Sequence, residues 1–151
     1  MLSKALELAA KAHAGQLDKG GNPYIMHPLR ILINHCADES NDVKICAVLH
    51  DAVEDSPLTL DDLRNEGFSQ EIVAAIDCLS RREGENYDDY ISRILTNLLA
   101  CTVKRGDLAD NMDLTRIPNP TAKDEKRLKK YQKAAARVDG AIRQAIYRTD
   151  I

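Results

Sequence analysis

"NDVKICAVLHDAVEDSP", residues 41–57, decides how the chain is read. Ile45, Cys46, Leu49, Ala52 and Val53 recur at three- and four-residue spacing. At about 100° per residue they form one apolar stripe of a helix. The spacing predicts a helix from about Asn41 to Asp55, which Pro57 ends. On the same wheel Asp51, Glu54 and Asp55 fall opposite the stripe, with His50 at its edge. Acids on such a face ordinarily just meet water. Here, however, His50 pairs with Glu54 and Asp51 with Asp55 at four-residue spacing, so the four groups make one patch. Three carboxylates with no lysine or arginine beside them repel one another unless a cation lies there. His50 and Asp51 can both reach an ion lying against the helix flank.

Helical spacing extends outward in both directions. Leu2, Ala5, Leu6, Ala9, Ala10 and Ala12 form a stripe that stops at Gly15. The loop "GQLDKGGNPY" (15–24) follows, and its glycines and Pro23 forbid regular structure. A second helix starts near His27-Pro28, where proline suits a first turn. Beyond Pro57, Thr59 and Asp62 make a capping box for a short helix that Gly67 closes. Ser69 opens another, "NYDDYISRIL" (86–95) and "LLACTVKRGDLADNMDL" (98–114) read as two more, and Thr121 opens a long last helix to about Arg148. No strand-like alternation or repeat is present. The expectation is one all-α domain over residues 1–151, a bundle of about six to eight helices.

The bulk numbers narrow the function. The chain has 151 residues, 44% hydrophobic and 30% charged, with a net charge of −3. That balance gives no basic surface for nucleic acid. No apolar run approaches the ~20 residues of a membrane span. The start, "MLSKALELAAKAHAG", is too charged and amphipathic for a signal peptide. Cys36, Cys46, Cys78 and Cys101 are scattered among apolar neighbours, so they read as free thiols in a reducing cytoplasm.

Two ligands are not a metal site. His13, His27, His35 and the acids of "VKRGDLADN" (103–111) are the other candidates. His27 opens a helix after the glycine-rich loop, and Asp107 and Asp110 share one helix face. Aspartate is a poor helix former, so function explains this pair better than stability does. His13 and His35 are read as structural.

Three segments together resemble a known family. "AHAGQLDKGGNPYIMHP" (12–28), "AVLHDAVED" (47–55) and "VKRGDLADNMDL" (103–114) are similar, in order, to the motifs of the RelA/SpoT-type HD hydrolase domain. The likeness runs from about residue 9 to 135, nearly the whole chain. It implies a stand-alone small hydrolase, without the synthetase domain or regulatory tail of the long alarmone enzymes. It further implies that His27, His50, Asp51 and Asp107 bind a divalent metal, typically Mn²⁺, and that Glu54 and Asp55 assist attack by water. Lys19, Asn111, Arg127 and Tyr131 match positions that contact the nucleotide.

The residue types suit that chemistry. Two imidazoles and two carboxylates fit Mn²⁺, Fe²⁺ or Zn²⁺, with positions left for water and substrate. A crowded, partly buried Glu54 should have a raised pKa, useful for taking a proton. "KDEKRLKKYQK" (123–133) has six basic residues against two acids; most are read as a solvated face, and Arg127 as a phosphate contact.

Three departures stand out. Asp18-Lys19 replaces the family's arginine-lysine, whose arginine stacks on guanine; Asp18 cannot stack and would repel phosphates. Lys104-Arg105-Gly106-Asp107 replaces lysine-leucine-alanine-aspartate, and Gly106 costs roughly 1 kcal/mol of helix stability. Asp110 stands where the family has histidine, adding negative charge near the metal. The expected function is a metal-dependent phosphohydrolase of a phosphorylated nucleotide, foremost a 3′-pyrophosphohydrolase of guanosine tetra- and pentaphosphate. An adenine alarmone, NADPH or a nucleoside phosphate as substrate, or an alarmone-binding module without catalysis, are the alternatives.

Overall fold

The computed structural model describes residues 1–150. Among these residues eight α-helices follow one another: α1 (Leu2–Ala12), α2 (Met26–His35), α3 (Asn41–Leu49), α4 (Leu60–Asn65), α5 (Gln70–Leu79), α6 (Tyr87–Ile94), α7 (Leu98–Asn111) and α8 (Ala122–Thr149). A 3₁₀ turn, Leu114–Arg116, precedes α8. Among the described residues there is no strand; one isolated bridge, Leu17 to Pro23, pinches the glycine-rich loop. No described helix is long and apolar enough to cross a membrane.

Local chemistry places the helix starts. Ser40, Ser69, Asn86 and Asn97 each accept a backbone N–H of the first turn with the side chain. Thr59 and Asp62 form the expected capping box. At α8, Asp124 Oδ2 accepts from both the backbone and the hydroxyl of Thr121. Gly67 ends the α4 turn at φ +89°.

The middle of the bundle is α3, against which α1, α2, α5 and α7 all pack. Ile45, Cys46, Ala47, Val48 and Leu49 are all buried. The expected single stripe is therefore too narrow: a helix enclosed on every side is apolar all round. His50 is likewise buried, not at an edge. The helix is also shorter than expected. Regular α-structure ends at Leu49, and residues 50–55 continue as turns that keep one helical bond, Asp55 N–H to Asp51 O. The Nδ1 of His50 bonds the Ala47 carbonyl at 2.7 Å, so the side chain uses an acceptor at the point where the helix loosens.

Among the described residues no cysteine is bonded to another, and Cys36, Cys46 and Cys101 are buried. Burial pushes the Cys46 thiol up to about 12, which leaves it unreactive.

Gly106 has a packing role that helix propensity hides. A Cβ there would lie 2.9 Å from His35 Cβ and 3.1 Å from Ile31 Cγ2. The glycine lets α7 press directly on α2. Gly106→Ala should therefore lower stability by about 1–2 kcal/mol, the overpacking cost exceeding the helix gain. Urea unfolding checks this; a stabilised variant would show that the two helices separate easily.

Candidate metal centre

Three elements bring the centre together. His27 lies in the first turn of α2, His50 and Asp51 directly follow α3, and Asp107 lies in the last turns of α7. His27 Nε2 is 3.0 Å from Asp107 Oδ1 and 3.6 Å from Asp51 Oδ2. His50 Nε2 is 3.1 Å from Asp51 Oδ2 and 3.6 Å from Asp107 Oδ1. His27, His50 and Asp107 bring their ligand atoms together, and Asp51 Oδ2 lies beside both histidines. Glu54 and Asp55 also bring ligand atoms near Asp51, in a second, more exposed group.

The hydrogen bonds fix which imidazole nitrogen carries the proton. His27 Nδ1 faces the Asp110 carboxylate at 2.7 Å, and His50 Nδ1 faces the Ala47 carbonyl at 2.7 Å. Both partners only accept, so Nδ1–H donates in each ring, and in the neutral imidazoles the Nε2 lone pairs point inward. They meet carboxylate oxygens, which are also acceptors. His50 Nε2 is buried with no hydrogen-bond partner. Converging lone pairs of this kind need a cation or added protons. Ligands bound at about 2.1 Å and at right angles lie about 3 Å apart, which matches the shorter spacings here. The residues fit a divalent metal.

The surrounding groups hold the carboxylates. Tyr24 O–H donates to Asp51 Oδ2 at 2.5 Å. Lys104 Nζ donates to Asp107 Oδ2 at 2.6 Å, and Asn111 Nδ2 to Asp107 Oδ1 at 2.8 Å. Lys104 is 7% exposed and lies 5.0 Å from the Tyr90 ring centre. Burial opposes its charge, but Asp107, Tyr90 and Tyr87 together outweigh burial and raise its pKa. For Asp107 burial is likewise overcome, by Lys104 and the histidines, and its pKa falls well below the ordinary value. Burial opposes charging of His27 too, yet Asp107 and Asp110 raise its pKa.

Lys104 amends the reading of an acid patch with no cation, since α7 supplies one from across the fold. Asp110 is a clearer correction. It does not simply add negative charge, because Arg30 binds it through Nε and Nη2 at 2.9 and 3.0 Å, and Arg116 Nη2 lies 3.2 Å away. Sequence reading missed Tyr24, Lys104, Arg30 and Arg116. Tyr24 and Arg30 lie three residues to either side of His27, Tyr24 within the first motif and Arg30 just past it, and Lys104 lies one helical turn before Asp107.

Glu54 and Asp55 are exposed at the rim. Glu54 Oε1 accepts the Arg81 backbone N–H at 2.5 Å. Burial raises the Glu54 pKa despite that bond. Partial burial and the Asp51 and Glu54 charges push Asp55 up to about 6. His13 is buried, with Nδ1 2.8 Å from Gln16 Oε1, and Gln16 Nε2 donates to the Asp55 carbonyl. The first loop is thus tied to the turn after α3.

A cleft of about 290 Å³ opens beside the centre. Lys19, Asn111, Arg127 and Tyr131, the four residues named as substrate contacts, all line it, together with Asp18, His27, Arg30 and Arg116. Asn111 also braces Asp107, a contact its assignment did not foresee. Lys19 and Arg127 converge on Asp124 at 3.8 and 3.6 Å. Asp18 Oδ1 accepts the Asn22 N–H at 2.9 Å, so this residue closes the loop tip as well as lining the cleft.

A model of the HD domain family matches residues 5–87, which include His27, His50 and Asp51 and stop before Asp107. The chain is 31% identical over 131 residues to a probable GTP pyrophosphokinase of Mycobacterium leprae, covering 80% of this chain and 16% of that protein. It is 36% identical over 80 residues to a guanosine-3′,5′-bis(diphosphate) 3′-pyrophosphohydrolase of Borreliella burgdorferi, covering 52% of this chain and 12% of that protein. The chain therefore spans less than a fifth of the length of these curated relatives. A solved structure of a metazoan ortholog of SpoT that hydrolyzes ppGpp aligns with a TM-score of 0.75 at 21% identity. The alignment covers 94% of this chain and 85% of that one, and it shows that the fold is shared. The family match takes in more than half of the chain, including the His50-Asp51 pair, and the chain belongs to the HD domain family.

Proposed function

We propose that this chain is a metal-dependent phosphohydrolase of a phosphorylated nucleotide, and that its substrate is a guanosine tetra- or pentaphosphate from which it removes the 3′-pyrophosphate. The observation that carries this reading is the buried convergence of the His27 and His50 Nε2 lone pairs on Asp51 and Asp107. The relatives named as 3′-pyrophosphohydrolases supply the substrate class. Mn²⁺ is the proposed ion, consistent with the mixed nitrogen and oxygen donors.

His27, His50, Asp51 and Asp107 would hold the ion, and the neighbouring donors keep these ligands in place. When bound, the metal supplies Lewis acidity toward a phosphoryl oxygen and lowers the pKa of water. Glu54 lies one turn from His50, oriented by the Arg81 N–H. Its raised pKa suits it to take a proton from attacking water as the P–O bond to the ribose 3′-oxygen breaks. That oxygen regains a proton and pyrophosphate departs. Asp55 beside it adds negative charge at the rim. Lys19, Arg127 and Tyr131 offer two cations and a phenol ring to the remaining phosphates and the base. Metal analysis, with phosphate and pyrophosphate release measured on guanine and adenine alarmones, NADPH and nucleoside monophosphates, tests this reading. Absence of both metal and turnover on every member would refute it.

Asp51→Ala or Asp107→Ala should strip the metal and abolish turnover, since each leaves an incomplete ligand set. Full metal occupancy and activity in either variant would overturn the ligand assignment.

Glu54→Gln keeps the shape and loses the proton acceptor. Metal and nucleotide should bind nearly as in the wild type, while kcat falls by roughly 10²- to 10⁴-fold. A kcat within about threefold of wild type removes Glu54 from the chemistry.

The base contact is where this chain departs from its resemblance, because position 18 carries no stacking guanidinium. Asp18→Asn preserves the acceptor for Asn22 and removes one negative charge from the cleft wall. Relief of about 1 kcal/mol of repulsion would lower KM for the guanine alarmone roughly fivefold, with kcat little changed. Steady-state kinetics decide it; an unchanged KM means that Asp18 does not face the phosphates.

A further inference from the structure

Asp110 is buried at 4% exposure, yet it is not among the residues that converge on the proposed metal. Its two oxygens meet three side chains. Oδ2 accepts from His27 Nδ1 at 2.7 Å and from Arg30 Nη2 at 3.0 Å, and Oδ1 accepts from Arg30 Nε at 2.9 Å. Arg116 Nη2 lies 3.2 Å from Oδ2 and donates to the Asp110 backbone carbonyl at 2.6 Å. The carboxylate plane is thus gripped by the two-pronged guanidinium of Arg30, which fixes its orientation as well as its place.

His27 depends on that grip. Its ring has one fixed neighbour on each side: Asp110 at Nδ1 and Asp107 at Nε2. Without an acceptor at Nδ1 the proton could move to Nε2, where it would bond Asp107 and occupy the lone pair that a metal needs. With Asp110 in place, Nδ1–H is held, and Nε2 is the nitrogen left to face Asp107 or a metal. A carboxylate partner also makes the imidazole a stronger donor to metal. His50 receives the same service from a backbone carbonyl, a weaker and uncharged acceptor.

We infer that Asp110, clamped by Arg30 and Arg116, is a positioning residue that fixes the tautomer and ring angle of His27 and thereby sets the divalent-metal affinity of the site. This rests on the metal-centre reading above. The alternative is architectural: Asp110 would tie α2, α7 and the 3₁₀ turn together and leave metal binding untouched.

The experiment is Mn²⁺ titration of the full chain by calorimetry, for wild type, Asp110→Ala and Asp110→Asn, with circular dichroism and apo melting curves alongside. Asp110→Ala should weaken Mn²⁺ binding about 10- to 100-fold. Asp110→Asn keeps one acceptor, for which His27 and the arginines compete, so a smaller loss of about three- to tenfold is expected. Asp110→Asn decides the matter alone if the alanine variant does not fold. A folded variant of either kind that binds Mn²⁺ within about threefold of wild type, whatever its melting temperature, overturns the inference and leaves the architectural role. Wild type that binds no Mn²⁺ would overturn the metal-centre reading itself, an outcome distinct from equal affinities across the series.

Discussion

Four acceptors face one another in a space almost closed to water. His27 and His50 turn Nε2 toward Asp51 and Asp107, with spacings of 3.0 to 3.6 Å. Without a cation or added protons this is among the least favourable arrangements a bundle core can contain, because lone pairs repel and burial removes the screening of water. Much of the neighbouring sequence answers that constraint. Lys104 brings a buried cation to the far oxygen of Asp107, Tyr24 donates to Asp51, and Asp110 and the Ala47 carbonyl hold the imidazole protons on the outer side. Each partner makes the inward-facing set fit a divalent ion better and a dry core worse.

The same constraint explains two oddities of the helices. A glycine in α7 is costly in isolation, but it lets α7 approach Ile31 and His35 of α2. That approach brings Asp107 and His27 within 3.0 Å. The loosening after α3 has a similar logic. A regular helix through Asp55 would keep the Ala47 carbonyl for backbone bonding alone. Here it meets His50 Nδ1 as the chain passes into turns. The acid-rich turns then sit at the rim, where Gln16 ties them to the first loop.

Much of this could be read from sequence because it is written in local chemistry. The caps at Ser69, Thr59 and Thr121 and the helical spacing of apolar residues placed most helix starts, although α3 ends six residues before the expected Asp55. His27, His50, Asp51 and Asp107 were legible through residue type and motif order, and the structure brings their side chains together. Their roles as ligands belong to the proposal. The central burial of α3 was hidden: Ala47 and Val48 lie off the stripe, and only packing from several sides shows why they are apolar. The partners of Asp110 were hidden for a different reason. Arg30 and Arg116 are 80 and 6 residues away from it, and no periodicity links them. Asp18 was read as a lost stacking group, whereas its bond to the Asn22 N–H is a property of the loop's closure.

Charge pairing in the cleft also bears on where an anionic ligand would sit. Each of its four cations already faces a carboxylate, but not equally. Arg30 is held by Asp110 at 2.9 and 3.0 Å in a geometry that leaves little to gain by moving. Lys19 and Arg127 share Asp124 at 3.8 and 3.6 Å, and Asp124 is itself engaged by Thr121 at the start of α8. Loose pairs near a surface are worth little, so a phosphate could recruit Lys19 and Arg127 at small cost. Arg30 would remain a fixed wall bound to the metal side. In the proposed reading the cleft is therefore divided by the strength of its existing ion pairs. The arginines on Asp110 serve the centre, and the loosely held pair beside α8 is free to meet the substrate.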